Sequence, residues 1–166
     1  MRSSRDAEFT DYVQARLPWL RRVAYLLCQD WQSADDLVQA GITRLYINWG
    51  RARGAASIDA YARTVLVRTF LAERRSAWAR RVTLSGGYPD RAAAATDHDI
   101  RLDVRAALVG LPPRQRATLV LRFYCDLPVD ETAKELGCTP GTVKSQTAKG
   151  LSALRRVLAP VPAEEA

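Results

Sequence analysis

The sequence predicts an all-α protein in which two small helical domains are joined by a flexible linker. Apolar residues recur at the three- and four-residue spacing of α-helices along nearly the whole chain, and no stretch shows convincing strand alternation. The helical pattern stops between residues 82 and 98 and then resumes, which indicates two modules. At 166 residues the chain is long enough for both.

The N-terminal module begins with two predicted helices, each with one apolar stripe. The stripe residues are Leu20, Val23, Ala24 and Leu27 in the first helix, and Val38, Ile42, Leu45 and Trp49 in the second. Ser33 precedes Asp36 by three residues and resembles a capping box with Asp in the Glu position. This pattern predicts that the second helix starts there.

A small-residue, basic loop is predicted from Gly50 to Ser57, followed by a third long helix. Ser57 can cap that helix, which should run from about Ile58 to Arg75 or a little beyond. Its inward face is predicted to contain Tyr61, Val65 and either Thr69 or Phe70. Arginines dominate the rest of its surface.

The linker is predicted where the sequence reads TLSGGYPDRAAAATDHD, because Gly-Gly, Pro-Asp and an alanine run replace any amphipathic period. Asp97, His98 and Asp99 could suggest a metal or acid-base site. Adjacent residues point in different directions, however, and the chain has no second histidine. We therefore interpret them as solvated linker residues.

Four helices are predicted in the C-terminal module. The first carries the stripe Ile100, Val104, Ala107, Leu108 and Leu111, and the second carries Ala117, Val120, Leu121 and Tyr124. Gly110 followed by Pro112 and Pro113 separates them. The third runs from about Val129 to Leu136, and Thr139 with Pro140 starts a fourth that extends to about Leu158.

The basic composition predicts a polyanionic partner, and the absence of a visible export signal or membrane span predicts a cytoplasmic protein. Lysines and arginines number 25 against 18 acidic residues, which gives a net charge of +7 and a pI near 9.8. No export signal is visible, and the longest strongly apolar run, Val23 to Cys28, is far too short for a membrane span. We expect a cytoplasmic protein.

The cysteines favour neither a disulfide framework nor a zinc site. Cys28, Cys125 and Cys138 are odd in number, widely spaced and accompanied by the single His98. We expect buried, reduced thiols, and a redox-sensing role stays open as the alternative. No metal or other cofactor is expected.

The strongest local signal is VDETAKELGCTPGTVKSQTAKGLSALRRVL, which predicts a helix-turn-helix with its turn at Gly137 to Thr139. Between Cys138 and Leu158 there are four basic residues and no acid, as suits a helix that enters a phosphate-lined groove. Val143, Thr147, Leu151 and Leu154 should face the core. The alternative is an amphipathic helix with a solvated basic face.

The segment LPPRQRATLVLRFYCDLPVDETAKELGCTPGTVKSQTAKGLSALRRVL closely resembles the fourth conserved region of extracytoplasmic-function sigma factors. In that family the region binds the minus-thirty-five promoter element and contacts the β flap of RNA polymerase. The resemblance implies DNA contacts from Arg114, Thr142, Lys144, Ser145, Gln146, Lys149 and Arg155. The overall style is similar to the actinobacterial sigma-E-like subgroup.

Residues 34 to 39, ADDLVQ, resemble the family's second region, which docks on the clamp helices of the polymerase β′ subunit. The resemblance implies that Asp35, Asp36, Leu37, Gln39 and Thr43 bind core RNA polymerase. Helical spacing puts Asp36, Gln39 and Thr43 on a face away from the apolar stripe. A favourable charge at a helix N-terminus is the alternative role for the two aspartates.

The segment YARTVLVRTFLAERR resembles the part of the second region that engages the minus-ten element. Six arginines and one acid lie between Arg63 and Arg81. The implied contacts are Arg51, Arg53, Tyr61, Arg63, Arg68, Arg74, Arg75 and Trp78. The sequence departs from the family where Arg68 replaces a common Asn and where Pro128 replaces a common capping Ser.

The resemblance implies an alternative sigma factor with region 2 at residues 1–81, a linker at 82–98, region 4 at 99–158 and a tail at 159–166. It also implies that an anti-sigma factor could insert between the modules. The alternative is a stand-alone helix-turn-helix regulator that acts without polymerase. An enzyme is not predicted, because there is no Walker loop, paired-metal carboxylate cluster or nucleophile with a histidine partner.

Overall fold

The computed structural model describes residues 3–84 and 100–159, and every regular segment in those ranges is helical, which confirms the predicted all-α class. A π-helical segment, Val120–Tyr124, directly follows α6. The α-helices are α1 (Ser4–Cys28), α2 (Trp31–Ile47), α3 (Trp49–Gly54), α4 (Ile58–Leu84), α5 (Ile100–Val109), α6 (Pro113–Leu119), α7 (Val129–Leu136) and α8 (Pro140–Leu158).

The start of α2 differs from the prediction. Asp30 is the N-cap, and its Oδ1 accepts a hydrogen bond from the backbone N–H of Ser33 at 2.8 Å. The helix therefore begins at Trp31, and the capping box predicted at Ser33 is wrong. Aspartate is among the best N-cap residues, so Asp30 satisfies the first free N–H groups one turn earlier.

The predicted stripes of α1 and α2 form the core of the N-terminal module. All four stripe residues of α1 are buried, as are Val38, Leu45 and Trp49 of α2, while Ile42 is partly buried against them. Gly41 lets α2 approach α4 closely, because a Cβ there would lie 3.1 Å from Leu66 Cδ1.

Residues 49 to 54 are helical, so the predicted loop from Gly50 to Ser57 is wrong over most of its length. Trp49 and Ala52 are buried on one side of α3, and this packing outweighs the low helix propensity of Gly50 and Gly54. The rings of Phe9 and Tyr12 lie 5.3 and 5.5 Å from that of Trp49, which fixes α3 against α1.

Ser57 starts α4 as predicted, since its Oγ accepts the N–H of Ala60 at 3.1 Å. The helix continues to Leu84, well beyond Arg75. Its buried residues are Ala62, Leu66, Val67, Thr69, Phe70 and Leu71. Tyr61 and Val65 are only half-buried, so the predicted inward face was rotated by about one residue from the actual one.

The C-terminal module follows the predicted helix boundaries closely. α5 ends at Val109, Pro113 opens α6, and α7 and α8 have the predicted limits. The exception is Tyr124, which is exposed although it was predicted to be in the stripe. The π-helical turn explains this, because the Cys125 N–H bonds the Val120 carbonyl five residues back and shifts the register of the side chains.

The two modules pack against each other in one structure. Ala117, Val120, Leu121, Leu127 and Leu136 of the C-terminal module belong to the same buried cluster as the apolar residues of α1, α2 and α4. A smaller cluster of Leu108, Leu111 and Leu119 lies under α8. The predicted linker lies outside the described residues beyond Leu84, as do Asp97, His98 and Asp99.

Candidate nucleic-acid and partner interface

The turn between α7 and α8 has the geometry that the sequence predicts. Gly137 takes a left-handed conformation with φ of 65°, which favours glycine, and the N–H of Cys138 bonds the Ala133 carbonyl at 3.0 Å. Thr139 then caps α8, because its Oγ1 accepts the N–H of Thr142 at 3.2 Å. The two helices form a helix-turn-helix.

Val143 and Gly150 determine which face of α8 is exposed. Val143 is fully buried, and a Cβ at Gly150 would lie 2.9 Å from Leu119 Cδ1, so α8 lies directly on α6 at this point. Thr147, Leu151 and Leu154 are half-buried on the same side. The predicted residues therefore do lie on the side of α8 that faces the core, and the closest approach is that of Gly150 to Leu119.

The opposite side of α8 is basic. Of the predicted DNA contacts, Lys144, Ser145, Lys149 and Arg155 are exposed, and Thr142 and Gln146 are half-buried. Lys149 and Arg156 line an open groove together with Gln115 of α6. Arg114 is exposed, but its Nη2 donates to the Leu136 carbonyl at 3.2 Å and so connects α6 to the end of α7.

An acidic surface lies on α2. Asp35, Asp36, Gln39 and Thr43 are exposed on one side of this helix. Leu37, by contrast, is 1% exposed, so it cannot be part of that surface. The motif resemblance placed it among the polymerase contacts, but the rotation of α2 puts it in the core.

Asp35 belongs to a surface cluster that sequence reasoning missed. Arg21 Nε donates to Asp35 Oδ1 at 2.8 Å, and the same guanidinium lies 4.9 Å from the centre of the Trp31 ring. Trp31 is 48% exposed and stacks on Tyr25 at 4.2 Å. Asp35 is thus partly neutralised, whereas Asp36, beside it, has no such contact with Arg21.

The residues predicted to bind the minus-ten element fall into two groups. Arg51 and Arg53 on α3, and Arg75 and Trp78 on α4, are exposed, and Trp78 is 58% exposed. Arg53 Nε lies 3.2 Å from Glu8 Oε2 in an exposed ion pair. Such a pair is weak, so Arg53 can exchange this contact for a phosphate at little cost.

The second group is engaged with the protein itself. Tyr61 is half-buried against the core, and the Arg74 guanidinium lies 5.3 Å from the centre of the Phe70 ring. Arg63 Nε donates to Glu135 Oε1 at 2.9 Å. Burial by itself lowers the pKa of Arg63, but the hydrogen bond and charge of Glu135 outweigh it and raise the pKa. Arg68 donates to backbone carbonyls of α7.

Arg105 and Arg116 were not singled out from the sequence, yet both connect the modules. Arg116 is 6% exposed and donates to the carbonyls of Leu27, Leu108, Val109 and Leu111. Burial lowers its pKa to about 10, so it stays charged at neutral pH. The signal available in the sequence was an arginine directly before the apolar stripe that begins at Ala117. Arg105 donates to the Gln29 carbonyl.

Two of the cysteines are in environments that suppress reactivity. Burial raises the pKa of the Cys28 and Cys125 thiols to about 11.

No helix within residues 3–84 and 100–159 is both long and apolar enough to cross a membrane. Within the same ranges, no group of three or more His, Cys, Asp and Glu side chains is arranged to hold a metal ion.

Comparison with known proteins identifies the family. Residues 12–80 match the model of sigma-70 region 2, and residues 101–154 match that of sigma-70 region 4. The chain is 34% identical to the RNA polymerase sigma-E factor of Streptomyces avermitilis over 157 residues, which cover 91% of this chain and 85% of that one. The chain belongs to the sigma-70 family of RNA polymerase sigma factors.

Further relatives agree with this assignment. The sigma factor is 33% identical to the sigma-E factor of Streptomyces coelicolor, with 91% of this chain and 86% of that one covered. It is 31% identical to the extracytoplasmic-function sigma factor SigM of Mycobacterium tuberculosis, with 84% and 71% covered. It is thus an alternative sigma factor of the extracytoplasmic-function type, which directs promoter-specific transcription initiation by RNA polymerase.

A solved structure shows the same fold. The sigma factor RpoE of Bartonella quintana, crystallised with the anti-sigma factor NepR, matches with a TM-score of 0.71 and 24% identity. The match covers 91% of this chain and 96% of that one.

Pro128, which stands where the family commonly has a capping serine, precedes α7 and provides no side-chain cap. The Pro128 carbonyl instead accepts the Thr132 hydroxyl at 3.0 Å.

Proposed function

We propose that this sigma factor divides its work between three surfaces: the acidic side of α2 for polymerase, α3 with α4 for the minus-ten element, and α8 for the minus-thirty-five element. One observation carries the proposal, namely that exposed acidic and basic surfaces occur on different helices of a strongly basic chain. A regulator that only binds DNA needs the basic surface alone. The acidic surface suits a second, basic partner.

The docking assignment is supported by exposure and charge. Asp36, Gln39 and Thr43 lie on the exposed side of α2, and Thr43 is oriented by its hydroxyl, which donates to the Gln39 carbonyl at 2.9 Å. Charge complementarity would steer the encounter with a basic helical surface of the polymerase, the β′ clamp helices. Asp35 can contribute only after exchanging Arg21 for a polymerase residue.

The minus-thirty-five assignment is supported by the capped start of α8. Because Thr139 and Val143 fix the first turns of this helix, the exposed Lys144 and Ser145 project from a rigid element. Residues near the N-terminus of a recognition helix read base edges, while the more distal Lys149 and Arg155 suit phosphates. The face of region 4 away from DNA would contact the β flap.

The minus-ten assignment joins two kinds of residue. Arg51, Arg53 and Arg75 are exposed and can bind phosphates, and Trp78 offers a flat apolar ring for an unstacked base. Arg63, Arg68 and Arg74 lie on the same helix as Trp78, but the Arg63 side chain is 12% exposed and would reach DNA only after leaving Glu135. Opening of the duplex would then use electrostatic grip combined with stacking.

Three further statements belong to this proposal. The chain has no catalytic activity of its own, because polymerase performs the chemistry that it directs. It acts in the cytoplasm, where polymerase is found. It has an anti-sigma partner, which is supported by the shared fold with RpoE of Bartonella quintana, a protein crystallised with such a partner. That partner would cover the surfaces described above.

DNA binding with and without core polymerase tests the proposal against the stand-alone regulator. The proposal predicts footprints over both promoter elements only when core enzyme is present. A regulator would protect duplex DNA alone, usually as a dimer on paired half-sites. A footprint from the isolated chain that core enzyme leaves unchanged would contradict the docking assignment.

A further inference from the structure

The N-terminal turns of α1 contact the basic segment α3 and the two elements next to it. Asp6 reaches the end of α2, Phe9 reaches α3 itself, and Tyr12 reaches the start of α4. Residues at this spacing lie on one side of a helix. The same side of α1 continues into the buried stripe that begins at Leu20. One side of α1 therefore contacts α3, the helix before it and the helix after it.

The α3 helix has little stability of its own. It is six residues long, contains two glycines and begins at Asn48 without a side-chain hydrogen bond to its free N–H groups. Isolated helices shorter than about twelve residues are marginal in water, and glycine weakens a helix further. The positions of Arg51 and Arg53 therefore depend on contacts that α3 makes with the rest of the module.

Phe9 joins α3 to the end of α2. Its ring lies 5.3 Å from that of Trp49 and 5.0 Å from that of Tyr46, in each case edge to face. Aromatic pairs in this arrangement stabilise a structure beyond the area that they bury. The Tyr46 hydroxyl donates to Asp6 Oδ1 at 2.9 Å, and Nη2 of Arg5 donates to the Tyr46 carbonyl at 3.1 Å. The first turns of α1 thus hold the N-terminal end of α3.

Tyr12 joins α3 to the start of α4. Its ring lies 5.5 Å from that of Trp49, and its hydroxyl donates to Asp59 Oδ1 at 2.8 Å. Arg16 Nη2 lies 2.6 Å from Asp59 Oδ2, so both carboxylate oxygens are bound by α1. Burial and, after it, the Asp59 carboxylate raise the pKa of Tyr12, which therefore remains a hydrogen-bond donor. The helix that follows α3 is thus fixed to α1 as well.

We propose that the side chains of Phe9 and Tyr12 position α3 for recognition of the minus-ten element, because they hold it in its helical form. Arg51 and Arg53 then meet the DNA strand on an ordered element. This inference rests on the proposed minus-ten role of those two arginines. Glu8 adds only an exposed, weak ion pair with Arg53 and is not needed for this positioning. Without the two rings, binding has to order α3 first, and the apparent affinity falls with the ordered fraction.

Phe9→Ala is the direct test, because it removes the ring that packs on both α2 and α3. Tyr12→Phe is the milder variant and serves if Phe9→Ala fails to fold, since it keeps the ring and loses only the hydrogen bond to Asp59. Leu17→Ala is the matched control. It also shortens a large apolar side chain of α1, but that side chain is 37% exposed and lies outside the contacts described above.

Hydrogen exchange on the free chain reports whether α3 stays helical, independently of any DNA. Two amides of α3 donate to the Asn48 carbonyl, at 2.9 and 3.0 Å, and should be protected in the parent. In Phe9→Ala we expect about tenfold faster exchange in α3, with the middle of α2 unchanged. Tyr12→Phe should give a smaller change in the same direction, and Leu17→Ala should match the parent.

Binding by the holoenzyme is measured with a fluorescent single-stranded oligonucleotide from the minus-ten region of a promoter that the holoenzyme transcribes. For Phe9→Ala we expect about tenfold weaker binding of this oligonucleotide, because the ordered fraction of α3 should fall to about a tenth. Affinity for a duplex that carries only the minus-thirty-five element, and for core polymerase, should stay within about twofold of the parent. Equal losses in all three affinities would mean a general loss of stability and would overturn the inference.

Failure of this inference and failure of the minus-ten assignment are distinguishable. If exchange in α3 and oligonucleotide binding are both unchanged in folded Phe9→Ala and Tyr12→Phe, the two residues do not position α3. If α3 exchanges faster but binding is unchanged, recognition does not need an ordered α3, and the inference fails as well. The double change of Arg51 and Arg53 to alanine then tests the assignment itself. Parent-like binding by that variant removes α3 from the minus-ten surface, whereas loss of binding keeps it there.

Discussion

Nε of Arg63 on α4 lies 2.9 Å from Oε1 of Glu135 on α7, although the two residues are 72 positions apart in the chain. The ion pair joins region 2 to region 4 at the helix proposed to bind the minus-ten element. Both side chains are largely buried, so loss of one partner would leave the charge of the other buried and unpaired. Separation of the two modules would therefore have to break this pair.

The double change of Asp36 and Gln39 to alanine should weaken the complex with core polymerase about tenfold, or about 1.4 kcal/mol. Both side chains are exposed and lie outside the core, so the helical circular dichroism should be unchanged. Affinity is measured by fluorescence titration with core enzyme. Asp11→Ala removes an exposed acid from α1 as the control. Equal affinity of parent and double variant would remove the docking assignment.

Lys149→Ala should reduce the slope of log affinity against log salt by about 1 for holoenzyme on promoter DNA, because one phosphate contact is lost. Binding is titrated across a salt series. Arg22→Ala removes an exposed positive charge from α1, outside the helix-turn-helix, and should leave the slope unchanged. A change in base preference at constant slope would mean that Lys149 contacts a base edge. No effect on either would place Lys149 in solvent.

Gly137→Ala should lower the free energy of unfolding by about 1 to 2 kcal/mol, because a Cβ is disfavoured at φ of 65°. Urea unfolding measures this. Gly50→Ala is the control, since nothing lies within 4 Å of a Cβ there and alanine favours the helix. Its stability should be equal or higher. Equal losses in both variants would contradict the assigned turn geometry.

The Cys28 thiol should react slowly with iodoacetamide in the folded protein. Only the thiolate reacts, and a shift of the pKa from the ordinary 9.0 to about 11 leaves about a hundredfold less thiolate at pH 8. The rate should therefore rise about tenfold per pH unit up to about pH 10.5. In urea it should level off near pH 9.

A variant with Cys125 and Cys138 replaced by serine isolates this thiol, and mass spectrometry follows its modification. Folded-state labelling that also levels off near pH 9 would contradict the effect of burial on Cys28. Levelling off near pH 7 would in addition restore the redox-sensing alternative for this residue, because a sensor thiol must ionise near neutral pH.

Signals that act over a few residues were predictable from the sequence. Thr139 and Pro140 start α8, and Gly137 ends α7, because capping and left-handed turns depend on a residue and its near neighbours. The same rules applied to α2 selected Ser33 where Asp30 is the cap. Both residues are good N-caps, and only packing decides between them.

Features that depend on distant contacts could not be predicted. Residues 50 to 54 contain two glycines, and their helical structure depends on the burial of Trp49 and Ala52. The motif resemblance placed Leu37 among the polymerase contacts together with its exposed neighbours. In the structure Leu37 lies on the buried side of α2. Contacts of Arg63 and Arg68 with α7 require the relative position of the modules, which a single sequence does not specify.

Run-off transcription with purified, sigma-free core polymerase on a library of candidate promoters tests the central claim most directly. Transcripts from defined start sites are expected only when this chain is added, and at a limiting concentration of the chain the double alanine variant of Asp36 and Gln39 should yield fewer of them. Absence of start-site selection on every template, with a folded chain and active core enzyme, would contradict this claim.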